Sequence, residues 1–490
     1  MNIYIDNHKF HYEIENLCRL FFPNSKFKII KDEKPQQEEE FIYTNIYLED
    51  NNAVINAKVR LFERVEEKYT QVSVNDSDFE NECERQLAII LFEILIDITG
   101  IKPPWGILTG IRPVKLMRKL VKEKGLNETI EYFKRVFKVS EEKTNLCFET
   151  MLNEQKIIAL SNAKSFSLYI SIPFCPSRCT YCSFVSQSIE KAARLIPEYV
   201  RLLCKEIEFT AKIANELKLR LESVYIGGGT PTTLSPSEMS ELINTIKKNF
   251  DMSFCKEITV EAGRSDTVTD EILSVLKYFG VSRISINPQT LNDDILKCIG
   301  RKHTAKQTIE AFNLARKYKF DNINMDLIAG LPNESYESFA NSIDEICKMT
   351  PESITIHTLS MKKASTLTEK GNKLYVDDSI RTSKMLKYVS KVLKDNDYIP
   401  YYLYRQSRMV GNQENVGWSK QGKECIYNVY VMDETHTILA CGAGAVTKLK
   451  QPGGDYLERI FNYKFPYEYI SSFDEMIKRK GQVREFYEKF

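Results

Sequence analysis

The sequence predicts an α/β fold built on a parallel sheet, either an open doubly wound sheet or a barrel. From about residue 165, short β-branched runs alternate with longer stretches of helical period. Such alternation is typical of parallel strands joined by helical crossovers. Six strands are expected, at 168–172, 223–226, 257–261, 283–286, 322–328 and 353–358, with helices near 191–216, 236–249, 269–278, 304–318 and 335–348.

The N-terminal region is expected to be of α+β type. The runs 46–48 and 53–61 flank a turn-like tripeptide at 50–52. Apolar residues recur every three or four positions over 80–99, which predicts a helix. A basic amphipathic helix is predicted over 111–124. Its charged side could bind an acidic ligand, RNA or a partner, although a solvated face on a packed helix is the commoner arrangement.

Beyond about residue 375 the alternation gives way to a helix and then to strand-like runs at 427–432 and 437–440. We therefore expect three domains. They are an α+β domain of unknown role over 1–160, the alternating domain over 161–370 and a mixed cap over 371–490.

Composition excludes several classes of protein. The 490 residues include 68 Lys and Arg against 67 Asp and Glu, so a polybasic nucleic-acid binder is not expected. The apolar run 87–92 is followed by Glu93 and Asp97, and no membrane span is predicted. No charged and then apolar leader follows Met1, so we expect a cytoplasmic protein. Its twelve cysteines are then expected to be reduced thiols or metal ligands rather than disulfides.

Three of these cysteines, Cys175, Cys179 and Cys182, are clustered just after the first strand of the alternating region. Spaced four and three residues apart on a loop, their thiolates can converge on one centre. A structural zinc site usually has four ligands and a second paired knuckle, and no such knuckle follows. Three cysteines on a four-iron cluster leave one iron open to a small molecule. Three packed core cysteines are a poor alternative within eight residues.

With Tyr181 before its last cysteine, the triplet resembles the signature of the radical S-adenosylmethionine (SAM) superfamily. The resemblance implies a partial (β/α)6 barrel and a 4Fe-4S cluster on the three cysteines. In that superfamily the open iron binds the methionine moiety of SAM. Electron transfer then cleaves SAM and releases a 5′-deoxyadenosyl radical. A reduced flavodoxin- or ferredoxin-like protein is the implied electron donor.

Further motifs resemble the oxygen-independent coproporphyrinogen III oxidase family over about 165–450, and its HemZ branch most of all. A tyrosine stands six residues before the first cysteine, where the family has one that contacts SAM. The run 226–232 matches the family's glycine motif, and an acidic residue ends the third strand. The residues implied for the first SAM are Tyr169, Tyr181, Gly228, Gly229, Thr230 and Glu261.

The resemblance also implies a second SAM. Gln289 after the fourth strand, Arg301 twelve residues later and Asp326 in the fifth strand match the family's second pocket. Thr358 and Val446 fall at weaker matches to further cofactor contacts. Taken alone, an acidic residue at a strand end is more often a structural hydrogen-bond acceptor than a ligand-binding group. At consecutive strand ends these residues describe a barrel mouth, where the active sites of such folds lie.

The implied activity is the conversion of two propionate side chains of coproporphyrinogen III to vinyl groups in porphyrin and haem biosynthesis. Two alternatives stay open: a haem-binding carrier that keeps the cluster, and a radical enzyme acting on another tetrapyrrole. His357 is the histidine best placed to face the site. The cations considered for the propionates are Arg178, Lys362, Lys363, Arg405 and Arg408.

The sequence departs from the family pattern at two positions near the cysteines. Ser171 stands where the family tends to have histidine, and a hydroxyl cannot supply the proton chemistry of an imidazole near neutral pH. Phe184 stands where many of the oxidases carry a fourth cysteine. The haem-chaperone branch also has phenylalanine at this position. However, the run 427–432 lacks the histidine and tryptophan of that branch, which removes the obvious axial iron ligand.

Overall fold

A computed structural model of the chain describes residues 1–23, 25–36, 39–182, 186–360 and 372–490. Phe184, Lys362 and Lys363 lie outside the described residues. The chain forms two compact units. The first comprises Met1–Phe148, the described part of Glu369–Ile380, and Arg405–Glu414, and the second comprises the described parts of Glu149–Thr368, Arg381–Tyr404 and Asn415–Phe490. The domain boundaries at residues 160 and 370 stay a prediction.

Before residue 160 the elements follow an α+β order. They confirm the helices predicted over 80–99 and 111–124 and the two strands around the turn at 50–52. The elements are β1 (Asn2–Asp6), α1 (His11–Phe21), β2 (Lys28–Lys31), β3 (Phe41–Glu49), β4 (Asn52–Leu61), β5 (Arg64–Ser73), α2 (Phe79–Thr99), α3 (Pro113–Lys124), α4 (Leu126–Arg135) and α5 (Glu141–Ile158).

The first unit is built on a five-stranded sheet in the order β2-β1-β3-β4-β5. β1 is parallel to both of its neighbours, and the remaining pairs are antiparallel. The apolar side of α2, including Leu87 and Leu91, is buried in one core with Ile55 of β4. Gly100 ends the helix in the left-handed conformation, with φ of 70°, and its N–H donates to the carbonyl of Ile96 at 2.8 Å.

After residue 160 strands and helices alternate. The elements up to residue 358 are β6 (Ser165–Ile172), β7 (Phe174–Cys175), β8 (Gln187–Ser188), α6 (Ile189–Ala192), α7 (Ile196–Glu216), β9 (Arg220–Gly228), α8 (Pro236–Asn249), β10 (Glu257–Glu261), α9 (Asp270–Tyr278), β11 (Arg283–Ser285), α10 (Asp293–Cys298), α11 (Ala305–Lys317), β12 (Asn322–Ala329), α12 (Tyr336–Met349) and β13 (Ser353–Thr358). The later ones are α13 (Asn372–Asp395), β14 (Ile399–Tyr404), β15 (Asn415–Ser419), α14 (Ile426–Asp433), β16 (Thr437–Cys441), β17 (Val446–Lys450), β18 (Leu457–Phe461), α15 (Pro466–Ser471), α16 (Phe473–Lys480) and α17 (Gln482–Glu488).

The second unit contains an eleven-stranded sheet in the order β14-β15-β13-β12-β11-β10-β9-β6-β16-β17-β18. The six predicted strands, from β6 to β13, are adjacent and parallel, and β16 adds a seventh parallel strand beside β6. Each end strand pairs with one neighbour only among the described residues, so the sheet does not close. The partial barrel predicted from the sequence is therefore confirmed.

The strand predicted over 427–432 is wrong, because this run forms helix α14. A buried carboxylate from a distant strand holds its first turn: Glu257 accepts the N–H of Ile426 at 3.1 Å and the thiol of Cys425 at 3.2 Å. An acidic group at this end of a helix stabilises it. The β-branched and aromatic residues of the run favour a strand, and this distant contact overrides their local preference.

One buried ion pair joins α16 to α7. Lys480 of α16 and Glu206 of α7 lie 3.0 Å apart, and their side chains are almost completely buried. Glu206 also accepts the N–H of Gly442 at 2.7 Å and the hydroxyl of Tyr469 at 2.7 Å. Every carboxylate oxygen therefore has a partner, as a buried charge requires. No described helix has both the length and the apolar composition needed to cross a membrane.

We expect Lys480→Ala to lower the free energy of unfolding by about 3–5 kcal/mol, because it leaves the Glu206 carboxylate buried without its counter-charge. Lys478→Ala, at an exposed position of the same helix, should change it by less than about 0.5 kcal/mol. Urea-induced unfolding measures both. Wild-type stability of the Lys480 variant would contradict this role of the pair.

Candidate functional site

The predicted site residues meet at one edge of the sheet, because the carboxyl ends of parallel strands point the same way. Gly228, Glu261 and Thr358 are the last residues of β9, β10 and β13. Gln289 follows β11, and the three cysteines follow β6 directly. The structure therefore brings the two groups of the sequence analysis, the cysteine loop and the acidic strand ends, to the same side of the second unit.

The glycine motif packs directly on the start of the cysteine loop. The N–H of Gly229 donates to the carbonyl of Ile172 at 2.8 Å, and that of Thr230 donates to the carbonyl of Phe174 at 2.7 Å. A Cβ on Gly229 would lie 2.5 Å from the Phe174 oxygen and 2.9 Å from Sγ of Cys175. Gly228 has φ of 109°, which disfavours any side chain. These glycines thus allow β9 to approach the loop that carries the thiols.

The cysteine loop holds its three thiols half-exposed. Thr230 donates its hydroxyl to Sγ of Cys175 at 3.6 Å. The N–H of Cys182 donates to the carbonyl of Cys179 at 3.2 Å, which closes a turn between the last two cysteines. The loop also binds the residues after α10, since the N–H of Thr180 donates to the carbonyl of Ile299 at 3.1 Å.

Among the described residues, no three Cys, His, Asp or Glu side chains converge tightly enough to hold a single metal ion. A four-iron cluster has a different requirement, because each thiolate binds its own iron and the sulfurs stay apart. Three half-exposed thiols on one short loop fit that requirement. Oxygen or nitrogen ligands from other elements would not be needed.

Arg301 and Tyr181 connect the cysteine loop to the ends of the strands. The Arg301 guanidinium donates from Nη1 to the carbonyls of Gly263 at 3.0 Å and Asn287 at 2.8 Å. Its Nη2 donates to the Tyr181 hydroxyl at 3.1 Å. The buried Nε has no hydrogen-bond partner among the described residues. Burial raises the pKa of the Tyr181 hydroxyl, so this group stays protonated.

Glu261 is set against stacked tyrosines. The hydroxyl of Tyr225 donates to its carboxyl at 2.6 Å, and the ring of Tyr225 stacks on Tyr427 with centroids 4.5 Å apart. Tyr169 stacks on both rings at centroid distances of 6.2–6.3 Å. Loss of solvation raises the pKa of Glu261 to about 7, and the negative charge of Asp326 raises it too, although the bond from Tyr225 opposes them.

Asp326 has the opposite electrostatic setting. Its carboxylate lies 3.7 Å from Nε2 of His357 and accepts the side-chain amide of Asn324 at 2.6 Å. Burial opposes the charged form, yet His357 and Asn324 outweigh it and hold the pKa of Asp326 below its usual value. Gln289 joins this group through its backbone, since its N–H donates to the Asp326 carbonyl at 2.9 Å.

Thr358 and Val446, the remaining cofactor candidates, lie at the same edge of the sheet. So does Ser171, at the position where the family tends to have histidine. The N–H of Thr358 donates to the side chain of Asn415 at 2.8 Å. Val446 begins β17, after the turn that follows β16. Ser171 donates its hydroxyl to the carbonyl of Ala443 in that turn at 2.8 Å. The position that is often histidine in the family is therefore occupied by a small side chain with a backbone partner.

Two cations considered for the propionates have different settings. Arg178 is exposed on the cysteine loop between Cys175 and Cys179. Arg405 belongs to the first unit, where its buried guanidinium donates to the carbonyls of Leu108 and Asn412. Its hydrogen bonds are thus used within that unit.

The sequence analysis missed three residues of this edge. Tyr225 lies directly before the glycine motif, and Tyr427 falls in the run assigned to a strand. Arg264 lies three residues after Glu261, and its guanidinium is 3.1 Å from Oγ of Ser177 in the cysteine loop. Its position three residues after a strand end was a local signal for Arg264. The Tyr427 contact depends on helix α14 and had no local signal.

Comparison with known proteins gives consistent matches. A family model described as the radical SAM superfamily matches residues 169–346. The oxygen-independent coproporphyrinogen-III oxidase-like protein HemZ of Bacillus subtilis is 34% identical over 98% of this chain and 97% of its own. The heme chaperone HemW of the same organism is 31% identical over 61% of this chain and 77% of its own.

Among solved structures, coproporphyrinogen III oxidase (HemN) from Escherichia coli, described as a radical SAM enzyme, matches with a TM-score of 0.50. The identity is 20%, over 66% of this chain and 72% of that chain. At this level of identity the likeness concerns the fold, and it agrees with the open parallel sheet of the second unit.

Gly229→Ala should displace the start of the cysteine loop, because its Cβ would overlap Phe174 and Cys175. Overpacking of this kind costs about 1–3 kcal/mol, so we expect less iron per folded chain after anaerobic reconstitution. Gly110→Ala is the matched control, since nothing lies within 4 Å of its added Cβ. Iron retention equal to wild type in the Gly229 variant would show that this approach is not needed to hold the cluster.

Proposed function

Because the chain belongs to the radical SAM superfamily, and within it to the HemZ-containing family of oxygen-independent coproporphyrinogen III oxidases, we propose that it converts propionate side chains of a tetrapyrrole to vinyl groups. Coproporphyrinogen III is the proposed substrate. The observation that supports this most directly is the packing of the glycine motif against the cysteine loop, with Thr230 donating to the thiol of Cys175.

Cys175, Cys179 and Cys182 would hold a 4Fe-4S cluster and leave one iron to SAM. When bound, the cluster and SAM would supply a 5′-deoxyadenosyl radical that takes a hydrogen atom from the substrate, and loss of carbon dioxide and of one electron to an external one-electron acceptor would leave the vinyl group. The chain's own task is to keep the thiols accessible on a fixed loop. Thr230 contributes by donating to one sulfur, and the turn closed by the N–H of Cys182 keeps the last two cysteines adjacent.

Two groups of residues would bind two SAM molecules, one for each propionate. The first SAM would contact Tyr169, Gly228, Gly229, Thr230 and Glu261, with Tyr181 beside it, and the second would contact Gln289, Arg301 and Asp326, with Thr358 and Val446 at its margin. SAM carries a positive sulfonium and a carboxylate. A charged Asp326 and the unpartnered Nε of Arg301 offer one group of each sign.

A primary carbon radical abstracts hydrogen from nearly any C–H bond that it meets, so the substrate carbon must be held close and competitors excluded. The stacked rings of Tyr169, Tyr225 and Tyr427 form an apolar group beside Glu261. An exposed cation such as Arg178 could bind a propionate. We place the reaction in the cytoplasm, with a reduced flavodoxin- or ferredoxin-like protein as electron donor.

A haem-binding carrier is the second candidate, and the likeness to proteins named heme chaperones supports it. The run 427–432 forms helix α14 and contains no histidine. An axial imidazole would have to come from another element. The two candidates differ in one measurable event, the transfer of a substrate hydrogen to 5′-deoxyadenosine.

The decisive experiment uses coproporphyrinogen III deuterated at the propionate β-carbon. The cluster-loaded chain is incubated anaerobically with SAM and a low-potential reductant. We expect vinyl products, carbon dioxide, methionine and 5′-deoxyadenosine that carries the deuterium, detected by mass spectrometry. Cys179→Ala should yield none of them, because a cluster held by two thiolates is lost. Cleavage of SAM without deuterium transfer, together with tight haem binding, would establish the carrier instead.

Acidification should weaken one SAM site before the other. Glu261, with a pKa of about 7, is charged at pH 8 and only about one tenth charged at pH 6, so first-site affinity should fall about tenfold. Asp326 stays charged over this interval, because its pKa is held low. Equilibrium binding of SAM to cluster-loaded protein should therefore show two sites per chain at pH 8, and at pH 6 the Kd of one site should be about tenfold higher while that of the other is unchanged.

Two variants separate the two sites. Glu261→Gln should remove the pH-dependent site and report any titration of SAM itself, while Asp326→Asn should keep the pH-dependent site and lose the other. Saturation at one SAM per chain at pH 8 would rule out the second pocket. An unchanged pH dependence in Glu261→Gln would rule out the role given to Glu261.

A further inference from the structure

Arg264 is a buried cation that contacts the cysteine loop and that no motif identified. It is 3% exposed. Its Nη1 donates to Oγ of Ser177 at 3.1 Å, lies 3.5 Å from the Ser177 carbonyl and approaches Sγ of Cys179 at 3.9 Å. One nitrogen of the guanidinium therefore reaches the stretch between the first two cysteines and the thiol of the second.

A carboxylate on the same short turn holds the other side of the guanidinium. Asp266 accepts from Nε at 3.2 Å and from Nη2 at 3.3 Å. The turn itself is fixed, because the hydroxyl of Thr267 donates to the Arg264 carbonyl at 2.8 Å and lies 2.6 Å from the hydroxyl of Thr232. The planar fork of arginine suits this two-sided contact, which a lysine ammonium cannot reproduce.

We propose that Arg264 is a positioning residue for the iron–sulfur centre, which orders the loop between Cys175 and Cys179 and raises the reduction potential of the cluster. The inference rests on the proposed function, since it requires that the three cysteines hold a cluster. It adds a role for a residue that contacts neither the substrate nor SAM in that proposal.

The physical basis is the charge change on reduction. One electron from an external low-potential reductant adds one negative charge to the cluster, and the guanidinium is a positive charge beside it. A fixed cation close to a ligand sulfur stabilises the more negative state. Net charge and hydrogen bonds to the sulfurs are among the factors that set the potentials of such clusters. Burial strengthens the effect, because the charge is less screened by solvent.

The Arg264–Asp266 pair allows a test based on the direction in which each substitution shifts the reduction potential of the cluster. Asp266 is the anionic end of the pair, so its charge lowers the potential, whereas that of Arg264 raises it. If the pair served only to fix the turn, breaking it from either side would have the same effect on the loop. If charge matters, Arg264→Gln and Asp266→Asn should move the potential in opposite directions.

The experiment uses the full chain with the cluster reconstituted anaerobically. Iron per chain and the electron paramagnetic resonance signal of the reduced cluster establish loading, and a dithionite titration with mediators at pH 8 gives the midpoint. We expect Arg264→Gln to raise the ratio of oxidised to reduced cluster about tenfold at the wild-type midpoint, a shift of about 59 mV to lower potential. Arg264→Lys should restore most of it, and Asp266→Asn should shift the midpoint upward.

Arg201→Gln is the control, because Arg201 pairs with Glu198 on the exposed side of α7 and its loss should leave the midpoint unchanged. If Arg264→Gln fails to take up a cluster, Asp266→Asn still tests the sign. Loaded variants with the wild-type midpoint, or shifts of the same sign in both, would overturn the role of Arg264 alone. A wild-type chain that assembles no cluster would overturn the proposed function as well.

Discussion

The candidate site depends on the close approach of two backbone segments, the end of β9 and the start of the cysteine loop. Two hydrogen bonds, from Gly229 to Ile172 and from Thr230 to Phe174, hold the segments together. The space between them excludes even a methyl group at Gly229. Because β9 lies between β6 and β10 in the sheet, this contact fixes the thiols relative to the next strand end, where Glu261 lies.

The two acidic residues of the site have different electrostatic environments. Loss of solvation raises the pKa of Glu261, whereas His357 and an amide hold the pKa of Asp326, two strands away, below its usual value. Arg264 and Arg301 approach the cysteine loop from the loops between these strands. Two acids of unequal proton affinity and two buried cations thus lie at the edge of the sheet that carries the cysteine loop, a distribution suited to a zwitterionic ligand that also carries a sulfonium.

The sequence predicted the parts of this arrangement that have a local signature. The hydrophobic periodicity predicted the six strands, and local motifs predicted the cysteine loop and the glycine run. The structure contains each of them. Helix α14 was missed because its first turn is capped by Glu257, some 170 residues earlier in the chain. Arg264 was missed for a related reason, since its partner Ser177 lies on a different loop. Contacts between distant segments have no periodicity to reveal them.

The seventh parallel strand packs against Ser171, one of the departures from the family pattern. β16 lies beside β6, and the turn after it packs on Ser171. A Cβ on Gly442 would be 2.5 Å from the Ser171 carbonyl and 3.2 Å from its Cβ. Tyr199 fastens the same turn by donating to the Ser171 carbonyl at 2.8 Å and accepting from the N–H of Ala443 at 2.8 Å. A side chain as large as histidine at position 171 would displace this turn. The small side chain of Ser171 therefore suits the packing of this turn, and its hydroxyl is used there as a donor to the Ala443 carbonyl.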